Sequence, residues 1–112
     1  MVVEDWSDQI IVARLDNEPG FSEDMQQLRD RLDDHVRDVV IDMAAVANLN
    51  SSNLAQLLRV RQQLIEADRA LRLASVGDRA MTVLHVTGLD NIFDFAEDIT
   101  NALAELTMDQ QN

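Results

Sequence analysis

Short runs of β-branched residues alternate along this chain with longer stretches whose apolar positions recur at steps of three and four. Met1–Ser7, with Val2, Val3 and Trp6, reads as an edge strand, and Ile10–Leu15 as a second strand. Asp8-Gln9 would turn a hairpin between them. Asn17-Glu18-Pro19-Gly20 is a turn cluster. Ser22 is placed to cap a helix running to about Val36, with Glu23 and Asp24 in its first turn and Met25, Leu28, Leu32 and Val36 as its buried stripe. Val39–Met43 has the unbroken apolar character of a central strand.

Ala44–Ser52 reads as a loop, and a long Leu-rich helix follows to about Ala67. Leu54, Leu57, Leu58, Leu64 and Ile65 would form its apolar face, and Asn53, Gln56, Arg59, Gln63 and Glu66 would look outward. Leu71–Val76 reads as a strand. Asp78–Val86 reads as a short helix capped by Asp78 and stopped by Gly88. Ile92–Phe95 reads as a brief strand, and Ala96–Leu106 as a last helix with Ile99, Ala102, Leu103 and Leu106 inward. Residues 1–107 would form one domain, and Met108–Asn112 a polar tail.

Strands that alternate with helices from Val39 onward imply right-handed crossovers and parallel pairing. The expected fold is α/β, with a mixed sheet of four to five strands flanked by about four helices. At 112 residues, one layered core is feasible and two are not.

Composition removes several kinds of chemistry. There is no Cys, so disulfides, thiolate metal sites and cysteine nucleophiles are excluded. All nine basic residues are Arg, which excludes a Schiff base or a P-loop phosphate clamp. A formal net charge of −12 argues against nucleic acid and against an anionic membrane surface, and makes a basic protein surface the more natural partner. The plainer reading of that charge is solubility. With neither a spanning stretch nor a secretory pattern at Met1–Gln9, a cytoplasmic protein is expected, with no direct membrane insertion.

The candidate site is Ala47–Asn53, a mostly polar segment between a strand and a helix N-terminus. In an open parallel sheet, binding sites gather at the carboxyl ends of the strands. The plain reading of Ser51 or Ser52 is a helix cap. The sharper one is a regulated serine, because a phosphate adds about −1.5 to −2 charges that a helix N-terminus tolerates.

The run from Val39 to Val76, VVIDMAAVANLNSSNLAQLLRVRQQLIEADRALRLASV, followed by MTVLHVTGLDNIF, resembles a STAS domain (sulfate transporter and anti-sigma factor antagonist) over nearly the whole chain. Asp42 stands in the buried strand, Asn50-Ser51-Ser52-Asn53-Leu54 on the helix opening, and Leu84–Leu89 on the later Leu-x-x-x-Gly-Leu segment. The resemblance implies partner switching. The unphosphorylated protein binds a serine kinase that acts as an anti-sigma factor, the kinase modifies the serine and leaves, and a serine phosphatase resets it. By position, Ser51 is the implied phosphoacceptor and Ser52 the second choice, with Asn50, Ser51, Ser52, Asn53, Gln56 and Arg59 as the partner surface. Asn50 and Asn53 stand where the family pattern has Asp and Gly. Some STAS domains resemble scaffolds or accessory subunits, in stressosome-like assemblies or beside transport ATPases. A non-switching member of that kind is the alternative.

No enzymatic activity and no cofactor are expected. A phosphoaspartate receiver would need a lysine and an Asp at a strand end, and Asp42 reads as lying inside its strand. His35 reads as a surface residue, His85 as packed or half exposed, and the two make a weak metal case. Trp6 and Met1 are a candidate partner or homodimer contact, with packing under the sheet as the plainer reading. Asp33-Asp34 and Glu97-Asp98 read as solvated pairs.

Overall fold

The β-branched runs form strands close to where the pattern places them. A computed structural model describes residues 3–110. Strands β1 (Val3–Asp5) and β2 (Ile10–Arg14) make an antiparallel hairpin, with Glu4 opposite Val12. Helix α1 (Gly20–Asp34) leads to β3 (Asp38–Asp42), and α2 (Ser51–Glu66) to β4 (Leu71–Ala74). Helix α3 (Asp78–Val86), one 3-10 turn (Leu89–Asn91), β5 (Phe95–Ala96) and α4 (Ile99–Gln110) complete the order. Strands β2 to β5 are parallel, and the sheet order is β1-β2-β3-β4-β5. The result is a single α/β domain with a five-stranded mixed sheet and four helices, as expected.

Alternation along each strand divides the core in two. Val3, Ile11, Ala13, Val39, Ile41 and Leu73 are buried with Phe21, Leu28 and Leu32 of α1, Leu57, Val60 and Leu64 of α2, and Leu84 of α3. Ile10, Val12, Val40 and Ala74 are buried on the opposite face, under Ala102 and Leu106 of α4. Each fully buried Leu or Ile contributes on the order of 2 kcal/mol.

Several boundaries differ from the sequence expectation, each for a local reason. Ser22 lies inside α1 and does not cap it. The N-cap is Pro19, and the orphan Ser22 N–H is taken by the Glu18 carboxylate at 2.8 Å. Strand β5 is shorter than Ile92–Phe95 suggested and begins only at Phe95. In α2, Ile65 is half exposed and Val60 takes its place in the buried stripe. Helix α4 runs on through Met108 to Gln110, where a polar tail was expected. His85 is exposed, more so than the packed or half-exposed position expected, with Nδ1 2.8 Å from an Asp90 carboxylate oxygen. Trp6 is half exposed and not covered by the sheet, and Met1, Val2, Gln111 and Asn112 lie outside the described residues. Gly88 does follow α3 with a left-handed φ of 78°, as the stop signal required.

Asp24 is the one carboxyl placed against the core on α1. Burial raises it above its ordinary range, and the charges of Glu23 and Asp16 push the same way.

Candidate functional site

Four parallel strands end on one edge of the sheet, and the loops after β2 and β3 meet there. Asp42 is the last residue of β3 rather than an interior one, and its carboxylate accepts the Ala44 N–H at 3.0 Å. Asn17, from the loop after β2, holds the next segment. Its side-chain oxygen accepts the Ala47 N–H at 2.9 Å, and its amide donates to the Ala45 carbonyl at 3.3 Å. Val46 and Leu49 anchor the same loop by burial. The strand-to-helix connection is thereby tied down before α2 begins.

Helix α2 opens on a reciprocal cap. Asn50 Oδ1 accepts the Asn53 N–H at 2.8 Å, and Asn53 Oδ1 accepts the Asn50 N–H at 3.0 Å. This is the capping-box arrangement built from two Asn residues. Neither Ser51 nor Ser52 caps the helix, which corrects the plain reading of both. Ser51 is the first helical residue and is exposed. Its hydroxyl has no hydrogen-bond partner among the described residues. Ser52 is also exposed, but its hydroxyl accepts from Gln56 Nε2 at 3.2 Å.

Asn53 and Gln56 do not look outward as expected. Their relative exposures are 2% and 9%, against an exposed Arg59. Both belong to a polar bridge from α2 to the start of α1. Gln56 Nε2 donates to the Ser22 hydroxyl at 3.0 Å, and that hydroxyl donates to Glu18 at 2.6 Å. Asn53 Nδ2 donates to the same Glu18 carboxylate oxygen at 3.3 Å. The Ser22 hydroxyl and then its N–H hold Glu18 below the ordinary carboxylate range; partial desolvation opposes them, and the Asn53 amide adds to them. Sequence reading missed Glu18 and Ser22 as members of this site. The available signal was the turn cluster at Asn17–Gly20, which the fold brings to the same edge.

Two shallow depressions involve the loop before α2. One, of about 280 Å³, is lined by Asn17, Glu18, Asn48, Leu49, Asn50 and Asn53. The other, also of about 280 Å³, is floored by Ala44–Ala47 and Ala80 and edged by Asp78 and Arg79. Among the described residues no group of three or more His, Asp or Glu side chains converges as metal ligands, and no helix is long and apolar enough to cross a membrane. The arrangement presents an exposed hydroxyl at the first position of α2, without a hydrogen-bond partner among the described residues, beside a mostly polar depression.

The STAS domain profile matches residues 7–105. No curated protein matches the chain at a significant level. Among solved structures, the fold is similar to a Ser-to-Glu variant of RsbS from Moorella thermoacetica, at 14% identity and TM-score 0.84, over 98% of this chain and 97% of that one. It is also similar to a protein from Thermotoga maritima described as a candidate anti-sigma factor antagonist, at 16% identity and TM-score 0.82, over 94% and 92%. A third is the phosphorylated form of the Bacillus cell-fate determinant SpoIIAA, at 13% identity and TM-score 0.68, over 98% and 97%.

Proposed function

The chain belongs to the STAS domain family, and we propose that within it the protein is a non-catalytic partner switch of the anti-sigma-factor-antagonist type. Ser51 is the phosphoacceptor, and Ser52 is not. Unmodified, the protein binds a serine kinase that acts as an anti-sigma factor; phosphorylated, it releases that partner; a serine phosphatase restores it. The cytoplasm is where such a cycle runs.

One observation carries this reading. Asn50 supplies the side-chain cap of α2, and the Ser51 hydroxyl is exposed at the first helical position with no hydrogen-bond partner among the described residues. Ser52 is less available because Gln56 holds its hydroxyl. A phosphate on Ser51 would sit over the N–H groups at the start of α2, which favours it. The same phosphate would place about −1.5 to −2 charges on the exposed start of α2, where a docked partner would have to desolvate it. The similarity to a phosphorylated SpoIIAA supports the same reading.

The experiment is a quantitative capture from the source cell with wild type, Ser51→Ala and Ser51→Asp. Wild type and Ser51→Ala are expected to retain a serine kinase, and Ser51→Asp to lose it by roughly tenfold or more. Equal capture by Ser51→Ala and Ser51→Asp would reject the switch in favour of a scaffold or accessory subunit, a reading to which the Asn50–Asn53 cap also lends itself.

A further inference from the structure

The two faces of the sheet are covered unequally. Helices α1, α2 and α3 pack on one face, and α4 alone on the other, against β3, β4 and β5. On that second face Ile10 and Val12 of β2 are buried with Ala102 and Leu106 of α4, and β1 is the edge strand beside them. The Glu4–Arg14 ion pair lies on the strands there, and Trp6 follows at the end of β1.

Between Trp6 and α4 runs an open groove of about 430 Å³, lined by Trp6, Thr100, Leu103, Ala104, Thr107 and Met108. The α4 residues recur at helical spacing and form a stripe separate from Ala102 and Leu106, which are buried against the sheet. The lining is almost wholly apolar, yet Trp6 is 51% and Met108 67% exposed. Large apolar groups left in one exposed groove mark an interaction surface more often than scattered single residues do. Trp is also the side chain most enriched at the energetic centres of interfaces.

Charge selects the occupant. The segments flanking the groove in the chain carry the exposed acids Asp8, Glu97 and Asp98, in a chain of net charge −12. A second copy would bring the same acids against them, and an anionic lipid surface would be repelled. A basic partner would gain on both counts. We propose that this groove docks a basic amphipathic helix of another protein, with its apolar side chains between Trp6 and α4 and its Arg or Lys residues over the acidic rim. The surface lies on the opposite face of the sheet from α1–α3 and stands independently of the Ser51 switch.

Trp6 is the single tryptophan of the chain, so its fluorescence reads the groove directly. The probes are a Leu/Lys amphipathic helical peptide and a Ser/Lys peptide of equal length and charge. The Leu/Lys peptide is expected to bind saturably with a blue shift of Trp6 emission, and the Ser/Lys peptide to bind weakly with none. Ala104→Gln and Met108→Ser, both on the exposed side of α4, are each expected to weaken the Leu/Lys peptide by roughly tenfold. Ser51→Asp is expected to leave it unchanged. Circular dichroism of both α4 variants checks that they fold. Equal binding of the two peptides, absence of any shift, or indifference to both α4 substitutions would overturn the proposal. So would a blue shift that grows with protein concentration alone, which indicates a second copy, or one seen only with phosphatidylserine vesicles.

Discussion

At the scale of single residues, the site depends on a division of work between neighbours. Asn50 satisfies the helix N-terminus, and Ser51 beside it makes no side-chain bond among the described residues. Asn50→Ala should therefore lower the unfolding free energy by about 1 kcal/mol, the usual cost of a lost N-cap. Ser51→Ala should stay within about 0.5 kcal/mol of wild type. Urea denaturation of the two variants distinguishes this arrangement from one in which the serine is the cap. Glu18 makes a second residue-level claim. Its carboxylate is held below the ordinary value of 4.5 in the folded protein, chiefly by the Ser22 hydroxyl. A depressed carboxylate adds stability that is present above its unfolded pKa and is lost as pH falls through the lower folded value. The melting temperature of wild type should thus fall more steeply below about pH 4.5 than that of Glu18→Gln. Parallel profiles would show that Glu18 contributes nothing through its charge.

Among the elements, α2 shows both what was legible and what was not. Its start, its length and its Leu stripe follow from a Leu-rich run after a polar segment. The inward turn of Asn53 and Gln56 does not, although both positions continue the stripe of Leu57, Val60 and Leu64 at helical spacing. Polar side chains at buried positions need partners, and theirs come from Glu18 and Ser22, remote in the chain and supplied only by the fold. The same reason hid Pro19 as the N-cap of α1, since the Glu18 side chain replaces the cap that Ser22 was expected to supply. Strands were easier, because β-branched runs need no distant partner to be recognised. Helix ends make a test of backbone geometry. Gly88 has φ 78° with nothing within 4 Å of an added Cβ, and Asp68, just beyond α2, has φ 57°. Gly88→Ala should therefore cost about 1 kcal/mol through conformation alone, and Asp68→Gly should be neutral or stabilising by a few tenths. Thermal denaturation that ranks the two in the opposite order would contradict this assignment of the turns.

For the whole molecule, charge and strand order set the behaviour. A net charge of −12 on a single domain repels itself, and salt screens that repulsion over about 10 Å at 0.1 M. The melting temperature should rise between low salt and a few hundred millimolar sodium chloride at neutral pH. A fall would mean that the ion pairs around Asp5, with Arg31 and Arg37 at 2.6 Å, outweigh the excess of acids. The strand order carries a different consequence, one that concerns synthesis. Every strand pairs with its predecessor in the chain, so each finds its neighbour already made when it leaves the ribosome. The layer of α1 to α3 is laid down in step with the strands. Ile10, Val12, Val40 and Ala74 wait uncovered on the other face until α4 has emerged. Throughout elongation, that half-clothed sheet is the surface a nascent-chain chaperone would meet.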